Sequence, residues 1–277
     1  MRFVPFVLTE DGRTMAGAEF GRCDREQSCG YFRYPSGVSP TWAEKAVRKP
    51  EPPKEPVIIP REVYHAEVRW NNTLLRAYAP LIGEERLIRT MDLYMCGTGS
   101  RGECLYPQYD GIFLRTAKAI LYGADGHRLN IEDGGFPVYW LHKSPWLVQW
   151  TADRELKQCL FGQHLLLEFN NAEVWIVEAE KTAVLMAATD DRTDRIWLAC
   201  GGSQMLKGAI DLDCLKGREV TLVPDDGQYW NWKRTADAHG WKCWDISTQA
   251  ASSDWLAGCD IWDLKEYKLR PRRYDIQ

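Results

Sequence analysis

The chain has 277 residues, 45% of them hydrophobic, and a formal net charge of −4. That length and apolar content support one large or two modest cores and exclude disorder as the default, and the slightly negative balance excludes a protein that coats nucleic acid through excess positive charge. No run of about 18 apolar residues is present and Phe3 to Leu8 is too short for a secretory signal, so a soluble, cytoplasmic protein without a membrane partner is expected. Nine cysteines, an odd and scattered set with no CxxC, fit reduced thiols better than a disulfide framework.

Residues 1–37 read as loop-like, with one compact unit from Gly21 to Tyr31 that contains Cys23 and Cys29. Residues 45–60 are rich in proline and charge, as an extended linker would be, and mark the clearest boundary. Apolar residues at Val63, Ala66, Trp70, Leu74, Ala77 and Leu81 predict an amphipathic helix over 62–82. Between 86 and 150 the runs Leu93–Met95, Gly111–Leu114, Ala119–Tyr122 and Val138–Leu141, separated by Gly and Asp turns, predict a β-rich subdomain. Gly97-Thr98-Gly99-Ser100-Arg101-Gly102 matches GxGxxG in form, but no helix pattern follows, so an ordinary turn is expected.

From about residue 160 strands and helices alternate: strand 174–178, helix 180–189, strand 195–200, helix near 203–215, strand 219–225, helix 228–239 and strand 241–246. This spacing predicts a parallel sheet covered on both faces. Lys265 to Arg273 carries five basic residues against one acid and reads as a solvated tail or a local basic patch. The expected division is 1–44, a linker at 45–60, a β-rich α+β subdomain at 61–155, an α/β domain at 156–265 and a basic tail at 266–277.

Two buried-strand patterns end in carboxylates: Val174 to Glu178, which runs into a helix, and Val220 to Asp226. Ligands of open α/β sheets sit at the carboxyl ends of strands, so Glu178, Asp225 and Asp226 could converge on a divalent cation and supply acid–base chemistry. A plainer reading remains open, in which Glu178 and Glu180 favour a helix N-terminus and Asp225-Asp226-Gly227 is a turn. The five histidines form no HxxxH pair, and neither a GxSxG motif nor a P-loop lysine is present.

Val177-Glu178-Ala179-Glu180-Lys181-Thr182-Ala183, Leu198-Ala199-Cys200-Gly201-Gly202 and Val220 to Asp226 resemble, in order, the signatures of a toprim domain. This is the catalytic module of bacterial DNA primases, topoisomerases and some nucleases, and the likeness covers about residues 160–250. The chain further resembles a primase-like family of bacterial mobile elements in which a zinc ribbon precedes a toprim-like half. Asp110 to Tyr122 is similar to that family's middle region and Gly21 to Tyr31 to the second half of its ribbon.

The resemblance implies a toprim-like parallel sheet flanked by helices and Mg²⁺- or Mn²⁺-dependent phosphoryl transfer on DNA, as a primase-like nucleotidyltransferase of mobile-element replication. Glu178 would be the general acid/base, and Glu178, Asp225 and Asp226 the catalytic and metal-binding set. Lys181, Arg115, Lys118 and Arg128 would meet nucleotides or single-stranded DNA, and a replication or helicase partner is implied. A toprim nuclease would use the same cleft, and a degenerate toprim would bind nucleic acid as an accessory without turnover.

Two departures bear on these expectations. The family pattern is Asp-x-Asp, and here Gly227 holds the second position; adjacent residues of an extended segment point oppositely, so Asp226 is a poor substitute and weaker metal affinity is expected. A zinc ribbon needs four ligands, yet residues 1–22 contain no Cys or His. Either the chain starts inside the ribbon or the ribbon has decayed. Cys23 and Cys29 are then a zinc-site remnant, read as plain thiols, and bound zinc is not expected.

Overall fold

The structure, a computed structural model, describes residues 3–5, 19–23, 31–33, 54–65, 71–135, 138–249 and 258–269. The chain divides into two compact units, Met1–Pro53 and Lys54–Gln277. In the first, β1 (Phe3–Pro5), β2 (Gly21–Cys23) and β3 (Phe32–Arg33) form an antiparallel sheet in that order. The Cys23 amide donates to the Tyr31 carbonyl at 3.1 Å, extending the antiparallel pairing of β2 with β3. Strands thus replace part of the loop expected over 1–37, and Cys29 lies outside the described residues.

In the second unit, residues 54–60 are packed rather than extended as a linker. Val57 and Ile59 are buried, and Ile59 bridges to Leu114 and Pro56 to Glu155. The single helix expected over 62–82 is divided into α1 (Arg61–His65) and α2 (Thr73–Ile82), with residues 66–70 outside the described set. Asn72 starts α2 by accepting the Leu75 amide on its side-chain oxygen at 3.0 Å. Then α3 (Glu84–Leu93) ends on Leu93, and Tyr94 and Met95 form the turn after it, in place of the strand expected at Leu93–Met95. Its acidic first turn and the buried Leu87 and Met91, four residues apart, are the signals of a helix.

The β-rich region is one antiparallel sheet, in the order β4 (Gly97–Thr98), β5 (Cys104–Asp110), β6 (Phe113–Ile120), β7 (Tyr139–Trp140). Period-two alternation gives the sheet two apolar faces. Cys104 and Tyr106 join a large core, whereas Leu105 and Tyr109 join a smaller one with Val57, Ile59 and Leu114. Short helical turns follow, including α4 (Val148–Thr151) and α5 (Leu165–Glu168).

The α/β half is built on β8 (Glu173–Val177), β9 (Arg195–Ala199), β10 (Val220–Leu222) and β11 (Lys242–Cys243). They form a wholly parallel sheet in the order β11-β10-β8-β9. Helix α6 (Glu180–Thr189) links β8 to β9, and α7 (Tyr229–His239) links β10 to β11. Right-handed crossovers running in opposite directions put these helices on opposite faces. Helix α6 is buried nearly all round, between the sheet and its neighbours α3 and α8 (Ile261–Leu269). The helix expected near 203–215 is absent. Gly208 at φ +103° and Gly217 at φ +77° bend the segment into turns around one 3₁₀ turn, Asp213–Leu215.

Residues of α2, α3, both sheets and α8 share the large core, so the halves expected at 61–155 and 156–265 pack as one body. The first residues of the expected tail, 266–269, belong to α8, and 270–277 lie outside the described set. Among the described residues no helix is long and apolar enough to cross a membrane. Asn72→Ala should cost about 1–2 kcal/mol of stability by removing a buried cap, and an unchanged urea midpoint would refute that role.

Candidate active-site cleft

The strand order fixes where a cleft can form. From β8 the chain leaves toward β9, and from β10 it leaves toward β11, so the connections part between the adjacent strands β8 and β10. A crevice opens at the carboxyl ends of such a pair. Glu178 is the residue immediately after β8, and Asp225 follows β10 by two residues, Val223 and Pro224. The structure therefore brings these two expected residues together, both half-buried.

Glu178 is held by the loop that follows β9. The Gly201 amide donates to the Glu178 carbonyl at 2.8 Å, and the Ser203 amide bonds its carboxylate. Burial raises the Glu178 carboxyl above its usual range; Ser203 and Lys118 draw it back, and Asp260 and Glu180 push it further. Asp225 is pushed up to about 8 from an ordinary 3.8, first by burial and then by Asp260, Glu178 and Asp263, with Lys181 partly offsetting them.

Asp260 and Asp263, which had no signal in the sequence, come from the start of α8. Asp263 accepts the Asp260 amide at 2.9 Å and Asp260 accepts the Asp263 amide at 3.0 Å, a reciprocal cap. The Thr182 hydroxyl donates to Asp260 and so ties α6 to α8. Burial and then Asp260 raise the Asp263 carboxyl. Lys181 has its ammonium 5.9 Å from the centre of the Tyr78 ring. Burial alone would lower it, but Tyr78, Asp260 and Asp263 together raise it above its usual value.

Asp226 does not join Asp225. Its amide donates to the Cys259 carbonyl at 2.9 Å, and its carboxylate accepts the Gly258 amide at 3.4 Å. Gly227, at φ +77°, completes the turn, closed by the Gln228 amide on the Asp225 carbonyl at 3.0 Å. Asp226, expected as a catalytic metal ligand, here braces this turn against the approach to α8. Just beyond, Trp230 is 78% exposed on the first turn of α7.

The expected basic residues divide three ways. Lys118, on β6, points at the cleft from beneath; its ammonium donates to Glu180 at 2.9 Å and to the Gly201 carbonyl at 3.1 Å. Glu180 is 1% exposed, and a Cβ at Gly201 would come within 3.0 Å of its carboxylate, so glycine is required at that φ +80° turn. Arg115 is buried in a different set of contacts, donating to Asp110 at 2.7 Å and to the Val57 carbonyl at 3.1 Å. Arg128 is exposed in the loop after β6. Neither arginine bonds to a residue of the cleft among the described residues.

Among the described residues no three His, Cys, Asp or Glu side chains are grouped closely enough to hold a metal ion by themselves. Two carboxylates at adjacent strand ends with a lysine beside them still fit Mg²⁺, which takes one or two protein carboxylates and completes its shell with water and phosphate oxygens. Cys96, Cys104, Cys159, Cys200, Cys214 and Cys243 form no disulfide.

Together these features define an α/β protein with an acid-lined crevice at a topological switch point. The chain belongs to the family described as domain of unknown function DUF6371, whose model matches residues 72–226, more than half of its length. That match runs from the cap of α2 to Asp226 and so covers the antiparallel sheet and three strands of the parallel one, β8, β9 and β10. Residues 1–41 match the model of a zinc beta-ribbon finger, in keeping with the antiparallel strands β1, β2 and β3. No curated protein and no solved structure matches the chain.

Lys118→Met leaves the Glu180 carboxylate buried without its counter-charge and should cost about 3–5 kcal/mol, most of it recovered in Lys118→Met/Glu180→Met. Denaturant unfolding of both variants checks this, and a double variant as unstable as the single one would refute it. Asp225 binds its proton more tightly when folded, so its contribution to stability is full below about pH 4 and is lost as pH rises toward 8. Asp225→Asn, which cannot ionise, should melt with wild type near pH 4 and at a higher temperature above pH 8. Equal melting temperatures across that window would count against the placement of Asp225.

Proposed function

We propose that the chain is a toprim-like, primase-like protein that performs Mg²⁺- or Mn²⁺-dependent phosphoryl transfer on DNA, with nucleotides and single-stranded DNA as substrates. The observation that carries this reading is the meeting of Glu178 and Asp225 at the switch point between β8 and β10. The order of the three sequence signatures supports it, as does the indole of Trp230 exposed beside the cleft, where a base can stack.

In this mechanism Glu178 takes the proton of the attacking hydroxyl as that oxygen bonds the α-phosphorus of a nucleotide, and gives it to the pyrophosphate released when the α–β phosphoanhydride bond breaks. A carboxyl raised by burial suits that role, because its affinity for a proton lies nearer neutral pH. The Ser203 amide keeps the carboxylate aimed, and Lys181 neutralises charge on a transferring phosphate. Glu178 and Asp225 would hold the cation, which when bound supplies charge neutralisation at the phosphoryl oxygens. A replication or helicase partner and a place in mobile-element replication belong to the same proposal.

A second reading is an accessory toprim that binds nucleic acid without turnover. It is favoured by Gly227 and by Asp226, whose carboxylate is engaged by Gly258. Primer synthesis from ribonucleotides on single-stranded DNA with Mg²⁺ or Mn²⁺ separates the two, with the labelled template followed in parallel for nuclease action. Product from wild type that is lost in Glu178→Ala is expected. Equal product from both rejects the catalytic assignment, and DNA binding without product selects the accessory reading.

A further inference from the structure

Beyond β6 the chain reverses through Gly123-Ala124-Asp125-Gly126-His127-Arg128. The Gly123 amide donates to the His127 carbonyl at 2.8 Å, the Gly126 amide donates to the Gly123 carbonyl at 3.0 Å, and Tyr122 bridges to Arg128 at the base of the turn. Its one acid, Asp125, accepts the His127 amide at 3.0 Å. Gly126, at φ +81°, packs against α2: the Tyr78 hydroxyl donates to its carbonyl at 3.3 Å, and a Cβ there would run into that hydroxyl. Only glycine lets the turn come so near, so Tyr78 fixes where the next two residues stand.

That contact sets the turn beside the acid cleft. The same Tyr78 ring has the Lys181 ammonium 5.9 Å from its centre, and Lys181 is the cation that partly offsets the acids around Asp225. Burial and Asp260 raise the Asp263 carboxyl, whereas the Asp260 amide, Lys181 and His127 draw it back, so His127 is within electrostatic reach of the start of α8. His127 and Arg128 are both exposed, and neither side chain has a hydrogen bond or an ion pair among the described residues. Lys118 and Arg115, by contrast, are spent on Glu180 and Asp110.

We propose, on the reading of the acid cleft as a nucleotidyl-transfer site, that the His127–Arg128 turn seats the β- and γ-phosphates of a nucleoside triphosphate bound there. With the α-phosphate at Glu178 and Asp225, the two terminal phosphates carry most of the charge of the ligand, and Asp260 and Asp263 repel them wherever no basic group intervenes. A run of basic side chains, Lys181 and then His127 and Arg128, continues from the carboxylates past Asp263, and a polyphosphate follows such a run. The guanidinium offers a fork of donors to two phosphate oxygens, and the imidazole offers one N–H more. The same contacts hold pyrophosphate as it leaves.

The test is calorimetric titration of the full chain in Mg²⁺ with AMP and with α,β-methylene-ATP, which cannot be cleaved at the reacting bond. Wild type should bind the triphosphate analogue about tenfold more tightly than AMP. Arg128→Gln should weaken the analogue by about 5- to 10-fold and His127→Gln by about 3-fold, with AMP affinity unchanged in both. Both side chains are exposed, so the variants should melt with wild type. Single-stranded oligo(dT) should keep its affinity in both variants; a strand weakened in place of the analogue assigns the turn to the template and overturns the proposal. Analogue affinity unaltered in both variants overturns it as well, as does a wild type that binds AMP as tightly as the analogue or binds neither. Primer synthesis by the same preparations keeps the two questions apart. Glu178-dependent product beside unaltered analogue binding rejects the role of the turn and leaves nucleotidyl transfer standing, whereas analogue binding weakened in the variants, with no product from wild type, supports the turn and rejects turnover.

Discussion

The ion pair between Lys118 and Glu180 joins the two halves of the second unit at the point where the cleft is built. Lys118 stands on a strand of the antiparallel sheet and Glu180 on the first turn of the helix after β8, and both side chains are largely withdrawn from water. Two charges placed so deeply are tolerated only as a pair, so neither sheet can shift against the other without exposing one of them to an apolar surrounding. The same ammonium holds the Gly201 carbonyl, and the loop at Gly201 holds Glu178. The geometry of the candidate acid is therefore set from outside the parallel sheet that carries it.

The cleft itself gathers like charges. Asp225 and Asp263 have raised carboxyls, Asp260 adds to the push on both, and Lys181 is the cation set against them. Such an arrangement lowers stability in the folded chain, and proteins that maintain one usually relieve it with a bound cation or use the raised proton affinity in a reaction. Helices α6 and α8 meet here through Thr182 and Asp260.

Much of the fold was legible from local pattern. The helix expected over 180–189 has those bounds, the strand expected at 174–178 is β8 displaced by one residue, and the strand expected at 195–200 is one residue longer than β9. Errors arose where local signals conflicted with packing. Leu93–Met95 looked like a strand because three apolar residues are adjacent, but the preceding residues place Leu87 and Met91 on one helical face. The 45–60 stretch looked like a linker because of its prolines, yet Val57 and Ile59 are covered by the antiparallel sheet. Glycines at positive φ removed the helix expected near 203–215.

By itself the sequence determined that an alternating strand–helix region exists and that two of its strands end in acids, because period and strand length are properties of neighbouring residues. Tertiary structure decided which strands are adjacent, and only the order β11-β10-β8-β9 makes Glu178 and Asp225 neighbours. It also decided that Lys118 is spent on Glu180, that Asp226 braces the turn leading to α8, and that Asp260 and Asp263 arrive at the cleft. These are contacts between residues from about 30 to 80 positions apart along the chain, where no local period operates and only the closing of one shared core sets which charges meet.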